Sequence, residues 1–195
     1  MVVGSTGSSD GDVSTLNGGK DFWVFKLTSE GQLIWEKTFG GSGDEKARDV
    51  AIDSEDNIIV GGFTLSNDGD VSINEGYSDG WVISVSSEGE LLWEKSTGGT
   101  NYDFINTIFM FDDSSVISSG LYQSYDDNPD SNIQGGGGGF GWSTLITNID
   151  NKDFDDCVRL SYSHVNGMYP NPTTGILNIK EQLPENTSYA VYNSH

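Results

Sequence analysis

The feature that most constrains the fold is an internal repeat. The segment SSDGDVS at 8–14 returns as SNDGDVS at 66–72, and SEGQLIWEKTFGG at 29–41 returns as SEGELLWEKSTGG at 87–99. Both pairs are 58 residues apart, and residues 10–41 aligned on 68–99 share 18 identities in 32 positions without a gap. A third, weaker copy places Gly120 in line with Gly4 and Gly62. Units of this kind bury a core by stacking on their neighbours, so we expect a repeat architecture.

Short apolar runs within each unit indicate strands. In the second unit the runs are 47–53, 58–63, 80–86 and 91–95, bounded by Gly, Asp, Asn and Ser. No segment shows a sustained apolar period of 3.6 residues, so helices should be scarce. In the first unit, DFWVFKL at 21–27 is apolar on both faces, as expected for a sheet that lies between two neighbours.

Four short strands in a repeated, sandwiched sheet are typical of a β-propeller blade. The alternative, a β-solenoid, usually has shorter repeats. We therefore predict an all-β fold: a partial β-propeller of about three four-stranded blades over residues 1–160, with units at about 1–44, 45–102 and 103–160. A linker at 161–167 and the start of a small β-sandwich-like domain at 168–195 follow. Because closed propellers need about 4–8 blades, we expect a fragment of a longer protein, or several chains that complete a ring together.

The charge of the chain excludes whole classes of partner. It has 30 acidic and 9 basic residues, for a formal net charge of −21. This field repels a phosphate backbone, which excludes nucleic acid, and disfavours anionic membrane surfaces. No apolar run reaches the length of a membrane helix, and the first residues lack the features of a signal peptide. The single Cys157 excludes an internal disulfide framework.

Two stretches resemble a known group of proteins. The repeat pattern GDVS…DFWV…WEKTFGGSGDE resembles the repeats of secreted proteins from bacteria that use the type IX secretion system, whose units are interpreted as propeller blades. The closing segment YPNPTTGILNIKEQLPENTSYAVYNS resembles the opening of that system's type A C-terminal sorting domain. The residues that carry this second resemblance are Tyr169, Pro170, Asn171, Pro172, Thr174 and Gly175.

The physical character of this segment agrees with the resemblance. Pro170 and Pro172 fix extended geometry, and Asn171 and Gly175 supply turn chemistry. The resemblance implies export by the type IX secretion machinery, and hence secretion or display on the outer cell surface. The family's domain continues for several more strands, so we expect the sorting domain at 168–195 to be truncated.

A recurring acidic loop is the candidate site for chemistry. Asp68 and Asp70 flank Gly69 within the loop 63–79, and Asp10 and Asp12 flank a glycine at the equivalent place. Carboxylates spaced in this way can present oxygens to Ca²⁺, which makes calcium the candidate cofactor, although the EF-hand pattern is not matched. The alternative is that these residues stabilise tight turns through Asx hydrogen bonds.

The sequence offers no catalytic constellation. His164 lies in the predicted linker and His195 is terminal, so no nucleophile–base pair can be assigned. Tryptophans fall at equivalent places inside strands of both units, where we expect them in the core: Trp23, Trp35, Trp81 and Trp93.

We therefore expect a non-enzymatic binding or structural module with an extracellular ligand, a polysaccharide or a protein. One alternative is the accessory propeller of an extracellular hydrolase whose catalytic domain lies upstream. The other is a calcium-stabilised adhesin. Because propeller folds host many unrelated functions, the architecture does not decide between these functions.

Overall fold

The structure is a computed structural model that describes residues 1–112, 115–123, 141–148 and 158–161. Every regular element in these ranges is a β-strand, which confirms the all-β prediction. The strands are β1 (Val2–Thr6), β2 (Asp21–Leu27), β3 (Leu33–Phe39), β4 (Glu45–Ile52), β5 (Ile58–Thr64), β6 (Asp79–Val85), β7 (Leu91–Thr97), β8 (Asp103–Asp112), β9 (Ser115–Tyr122), β10 (Gly141–Asn148) and β11 (Val158–Ser161).

The strands form three antiparallel sheets that follow one another along the chain. The first contains β1-β2-β3, the second β4-β5-β6-β7 and the third β8-β9-β10-β11. Within each sheet every strand pairs with the next one in sequence. Strands β4 to β7 coincide with the four apolar runs of the second unit, because each run ends in turn residues that cannot continue the ladder. In the part of the chain that is described, none of the sheets closes on itself.

Local irregularities of the strands recur with the 58-residue offset of the sequence. The register between β2 and β3 shifts at Lys26/Leu27, and that between β6 and β7 shifts at Ser84/Val85. The register between β4 and β5 shifts at Ala47/Asp49, and that between β8 and β9 at Ile105/Thr107. β-Bulges re-aim strands at defined positions, so equivalent sequences bend equivalent strands in the same way.

The core lies between successive sheets. One cluster joins the first and second sheets and includes Phe22, Val24, Ile58 and Trp81. A second cluster joins the second and third sheets and is made of Ile59, Val82, Ile105, Ile108 and Val116. Because successive side chains of a strand point to opposite faces, the second sheet uses Trp81 for one cluster and Val82 for the other. It is thus buried on both faces.

The first sheet is covered on one face only. Phe22 and Val24 are fully buried against the second sheet. The residues that alternate with them, Trp23 and Phe25, stack on each other with ring centroids 4.4 Å apart and remain partly exposed. Val2, which pairs with Phe25, is 40% exposed. The outer face of the first sheet is therefore apolar and open.

Candidate functional site

Four successive backbone N–H groups between the first and second sheets donate to side chains. They belong to Gly40–Gly43, which joins β3 to β4 and is called the glycine connector here. In order of the donors, the acceptors are Asp70 Oδ2 at 3.0 Å, Glu45 Oε2 at 2.8 Å, Asp68 Oδ1 at 2.7 Å and Ser66 Oγ at 2.8 Å. We call these four acceptors the clasp. Because each of the four N–H groups has its own acceptor, including those of the buried Gly40 and Gly41, the clasp fixes the path of the chain from one sheet to the next.

The close approach of the clasp explains why the connector begins with two glycines. A Cβ on Gly41 would overlap the carbonyl oxygen and the carboxylate of Asp68. A Cβ on Gly40 would overlap Glu45 Oε2 and lie 2.8 Å from Asp21 Oδ1. Any other residue would push these carboxylates away, so the glycines of the WEKTFGG motif are required by packing.

Glu45 lies at the centre of the clasp. Its side chain is fully buried at the start of β4. Besides the N–H of Gly41, its carboxylate accepts hydrogen bonds from the hydroxyl groups of Thr64 at 2.8 Å and Ser66 at 2.7 Å. Three donors offset much of the cost of removing a carboxylate from water.

Asp21 lies beside the clasp and is less well satisfied. It is fully buried at the start of β2, and its Oδ2 accepts from the backbone N–H of Asn17 at 2.7 Å. Its Oδ1 has no hydrogen-bond partner in the described part of the chain. Burial raises the pKa of this carboxyl; the hydrogen bond from Asn17 opposes the change, while the charges of Glu45 and Asp70 add to it. The ionised form is therefore disfavoured here.

The junction between the second and third sheets repeats this arrangement. Each acidic residue again accepts from the backbone N–H four positions before it in the sequence. The recurring pairs are Asp21 with Asn17 and Asp79 with Glu75, then Glu45 with Gly41 and Asp103 with Gly99. Asp103 accepts a further backbone N–H from Gln123 at 2.7 Å. Acidic side chains therefore have the same architectural role at both junctions.

A second polar contact holds the third sheet to the second. Asp49 Oδ2 accepts from the hydroxyl of Thr107 at 2.6 Å and from the backbone N–H of Ile108 at 2.9 Å. Burial raises the pKa of Asp49, but these bonds, with one from the N–H of Val50, outweigh it and hold the pKa below its ordinary value. Asp49 is thus stabilised as a carboxylate, in contrast to Asp21.

The four predicted metal ligands lie in equivalent turns but in different surroundings. Gly11 and Gly69 have φ angles of 67° and 68°, so the two DGD turns have the same shape. In the second unit Asp68 and Asp70 belong to the clasp. In the first unit Asp10 and Asp12 are exposed, and Asp10 accepts a hydrogen bond from the Ser8 hydroxyl within its own turn.

The described residues contain no ready-made metal centre. Within these ranges, no three His, Cys, Asp or Glu side chains are grouped so that they could hold a metal ion. One oxygen each of Asp68 and Asp70 accepts a backbone N–H of the connector. Calcium binding at the DGD turns stays a prediction.

Sequence reasoning missed the two buried acidic residues at the first junction, Asp21 and Glu45. The repeat does mark both residues, because an acidic residue recurs at each of the two positions. Asp21 recurs as Asp79 at the first position of an otherwise apolar strand, and Glu45 recurs as Asp103 four residues after a recurring glycine. An acidic residue that recurs at the edge of a buried strand indicates a carboxylate with fixed backbone donors.

Three of the four tryptophans predicted in the core pack there, whereas Trp23 lies on the open face of the first sheet, which no further sheet covers in the described part of the chain. Trp81 is fully buried between the first two sheets, while Trp35 and Trp93 pack at the edges of the two clusters. The indole N–H of Trp81 donates to Glu94 at 2.7 Å, and that of Trp23 donates to Glu36 at 3.0 Å in the equivalent pair. The polar end of the indole therefore keeps the same partner in both units, whether the ring is fully buried or partly exposed.

Several predicted sites lie outside the described residues. These are the residues of the sorting motif: Tyr169, Pro170, Asn171, Pro172, Thr174 and Gly175. His164 and His195, for which no catalytic role is predicted, also lie outside them. The residues that are described include no helix of the length and hydropathy needed to cross a membrane. A scan of protein-family models finds none that matches this chain, and a search of the curated proteins finds no matching relative.

Proposed function

We propose that this chain is part of a propeller-like repeat protein that acts without catalysis, as a binding or structural module at the bacterial cell surface. The observation that carries the proposal is the repeated junction, in which one sheet covers the next and buried carboxylates hold the glycine segment between them. Units that stack through one recurring contact can be extended in a row, which is how repeat proteins build large binding surfaces.

The open face of the first sheet supports the propeller-like arrangement. Trp23 occupies the position of Trp81 one unit earlier, and its indole makes the same bond to a glutamate. Trp81 is fully buried by the neighbouring sheet, whereas Trp23 is partly exposed. A further unit of the same kind, seated on Trp23 and Phe25, would complete the pattern that the second sheet already shows.

This stacking can be tested by adding a unit. Two segments are added ahead of residue 1. The first is a copy of residues 45–102, which supplies one whole unit. The second is a copy of residues 45–58, which gives the first sheet a strand equivalent to β4. We expect the extended protein to have a higher melting temperature and its Trp23 to be quenched less by acrylamide. The emission of Trp23 is obtained as the difference between the extended protein and its Trp23→Phe variant. The control carries Val82→Asp in the added copy, at the face that would meet Trp23. Unchanged quenching in the extended protein would contradict the stacking.

Export is supported by the sorting resemblance at 168–195. The test uses a protein that the type IX system exports through a complete type A sorting domain. The opening segment of that domain is replaced with residues 168–195. Surface display of the chimera is expected, and its loss is expected when Pro170 and Pro172 are both replaced by alanine. Retention of the unmodified chimera in the periplasm would contradict the proposed export.

A further inference from the structure

A column of aromatic rings lies on the surface at the junction of the second and third sheets. Tyr77 and Tyr102 stack with ring centroids 5.1 Å apart and an interplanar angle of 14°. Tyr102 also stacks on Phe104 at 6.3 Å, and Phe104 meets Phe63 edge-on at 4.8 Å. Tyr77 is 64% exposed and Tyr102 46% exposed, so the column becomes more accessible toward Tyr77. Exposed aromatic rings in contact with one another are a typical mark of a binding site.

The fold itself does not require the two tyrosines. One unit earlier, the positions of Tyr77 and Tyr102 are occupied by Gly19 and Asp44. The backbone is nevertheless closed in the same way: Gly19 N–H donates to the Gly43 carbonyl at 2.8 Å, and Tyr77 N–H donates to the Asn101 carbonyl at 3.1 Å. The same isolated bridge, Lys20 with Asp44 and Ser78 with Tyr102, follows at each junction. The aromatic pair is thus an addition to a junction that forms without it.

The geometry of the column selects the kind of ligand. Aromatic faces carry negative charge density and attract the weakly positive C–H groups on one face of a sugar ring, while phenol hydroxyls can bond sugar hydroxyls. A proline-rich peptide needs a slot between aromatic rings, and rings stacked 5.1 Å apart leave none. Quaternary ammonium ligands need a cage of rings rather than a parallel stack. A net charge of −21 disfavours nucleic acid and acidic polysaccharides.

We propose that Tyr77 and Tyr102 form a binding platform for a neutral polysaccharide. This inference rests on the proposed function as a binding module and names its ligand class. A sugar ring lies against the exposed face of Tyr77, and Tyr102 supports that ring from behind through the stack. The site belongs to the junction of the second and third units and is absent from the first junction.

The test is a binding measurement with the full chain and a panel of polysaccharides. Affinity electrophoresis or sedimentation with neutral β-glucans, such as cellulose and laminarin, is compared with acidic alginate. The test variant is Tyr77→Gly with Tyr102→Asp, which installs the residues of the first junction on the same backbone. The matched control is Phe109→Ala, which removes a side chain that is 51% exposed elsewhere on the third sheet. Circular dichroism melts establish that each variant is folded.

We expect the wild type and Phe109→Ala to bind a neutral glucan, and the double variant to bind at least about tenfold more weakly, a difference of roughly 1.4 kcal/mol. Absence of binding to every neutral polysaccharide, or equal binding by the folded double variant, would overturn the proposal. Tyrosine-dependent binding of alginate or of a proline-rich peptide in place of the glucans would overturn the ligand class. The stacking test reads out the melting temperature and the quenching of Trp23, and the export test reads out surface display; neither measures polysaccharide binding, so their failure is distinguishable from failure here.

Discussion

Trp81 and Trp23 occupy the same position in successive units, and replacing each with alanine should cost different amounts of stability. Both indoles donate to a glutamate on the neighbouring strand, at 2.7 and 3.0 Å. Trp81 is fully buried and its ring lies 4.7 Å from that of Phe22 in the first sheet. Trp23 packs against Phe25 on the open face. The two substitutions therefore differ mainly in the cover that a neighbouring sheet provides.

The expected difference in stability between the two variants follows from how far a neighbouring sheet buries each indole. Replacing a fully buried tryptophan with alanine costs about 3–5 kcal/mol, since the lost apolar burial is joined by the cost of a cavity. The partly exposed Trp23 gives up somewhat less apolar area, and its removal leaves a groove open to water rather than a closed cavity, so Trp23→Ala should cost about 1–2 kcal/mol. The loss of the bond to glutamate is common to both variants and cancels in the comparison.

The assay is thermal unfolding followed by far-ultraviolet circular dichroism, which does not depend on tryptophan emission. A difference of about 2–3 kcal/mol corresponds to a gap of roughly 4–12 °C between the two melting temperatures for a chain of this size. Equal melting temperatures for the two variants would refute the reasoning, because the second sheet would then gain nothing from the first. A lower melting temperature for Trp23→Ala would refute it more strongly.

Three further predictions follow from the junctions. Gly62→Ala should destabilise the fold strongly, because its Cβ would overlap the Lys46 carbonyl, whereas Gly4→Ala at the equivalent position meets nothing within 4 Å and should change the melting temperature little. Asp21→Asn should raise the melting temperature at pH 7. Because the pKa of Asp21 is raised in the folded protein, the protein is most stable when this carboxyl is protonated. The gain in melting temperature should therefore shrink as the pH falls toward 3.8, the ordinary pKa of an aspartate. A gain that does not change with pH would contradict the raised pKa. If the DGD turns bind calcium, millimolar Ca²⁺ should raise the melting temperature of the wild type but not that of Asp68→Ala with Asp70→Ala; a wild-type melt unchanged by calcium excludes the site.

Much of the fold was predictable from the sequence, because aligning one unit of the repeat with the next shows which positions both units keep. Strands β4 to β7 fall on the four predicted runs, since each run is apolar and ends in Gly, Asp, Asn or Ser. The apolar character of both faces of DFWVFKL predicted a neighbouring sheet on each side; the second sheet covers Phe22 and Val24, while Trp23 and Phe25 on the other face stay partly exposed. Ring closure could not be predicted, because it depends on how many units stack rather than on the pattern within one unit.

The candidate site was less predictable, because its residues come from different strands and turns. Asp68 and Asp70 stood out because they lie close together around a glycine, but what they contact is the connector, more than twenty residues earlier in the chain. Nothing local marks Glu45 as the centre of the clasp, since its partners Thr64 and Ser66 lie on the next strand and loop. The aromatic pair was missed for a different reason: comparison of units draws attention to residues that recur, and Tyr77 and Tyr102 replace Gly19 and Asp44.

The clasp changes how a calcium experiment has to be interpreted. Asp68 and Asp70 accept backbone N–H groups of Ser42 and Gly40, so replacing them with alanine leaves those donors unsatisfied and lowers stability even without calcium. A lower melting temperature in that variant is therefore no evidence for a metal. The sharper variant is Asp68→Asn with Asp70→Asn, which keeps an oxygen acceptor for each N–H but removes the two negative charges on which calcium affinity depends. If calcium stabilises the wild type and not this variant, the turns bind the ion. If both respond alike, the carboxylates act only as acceptors in the junction.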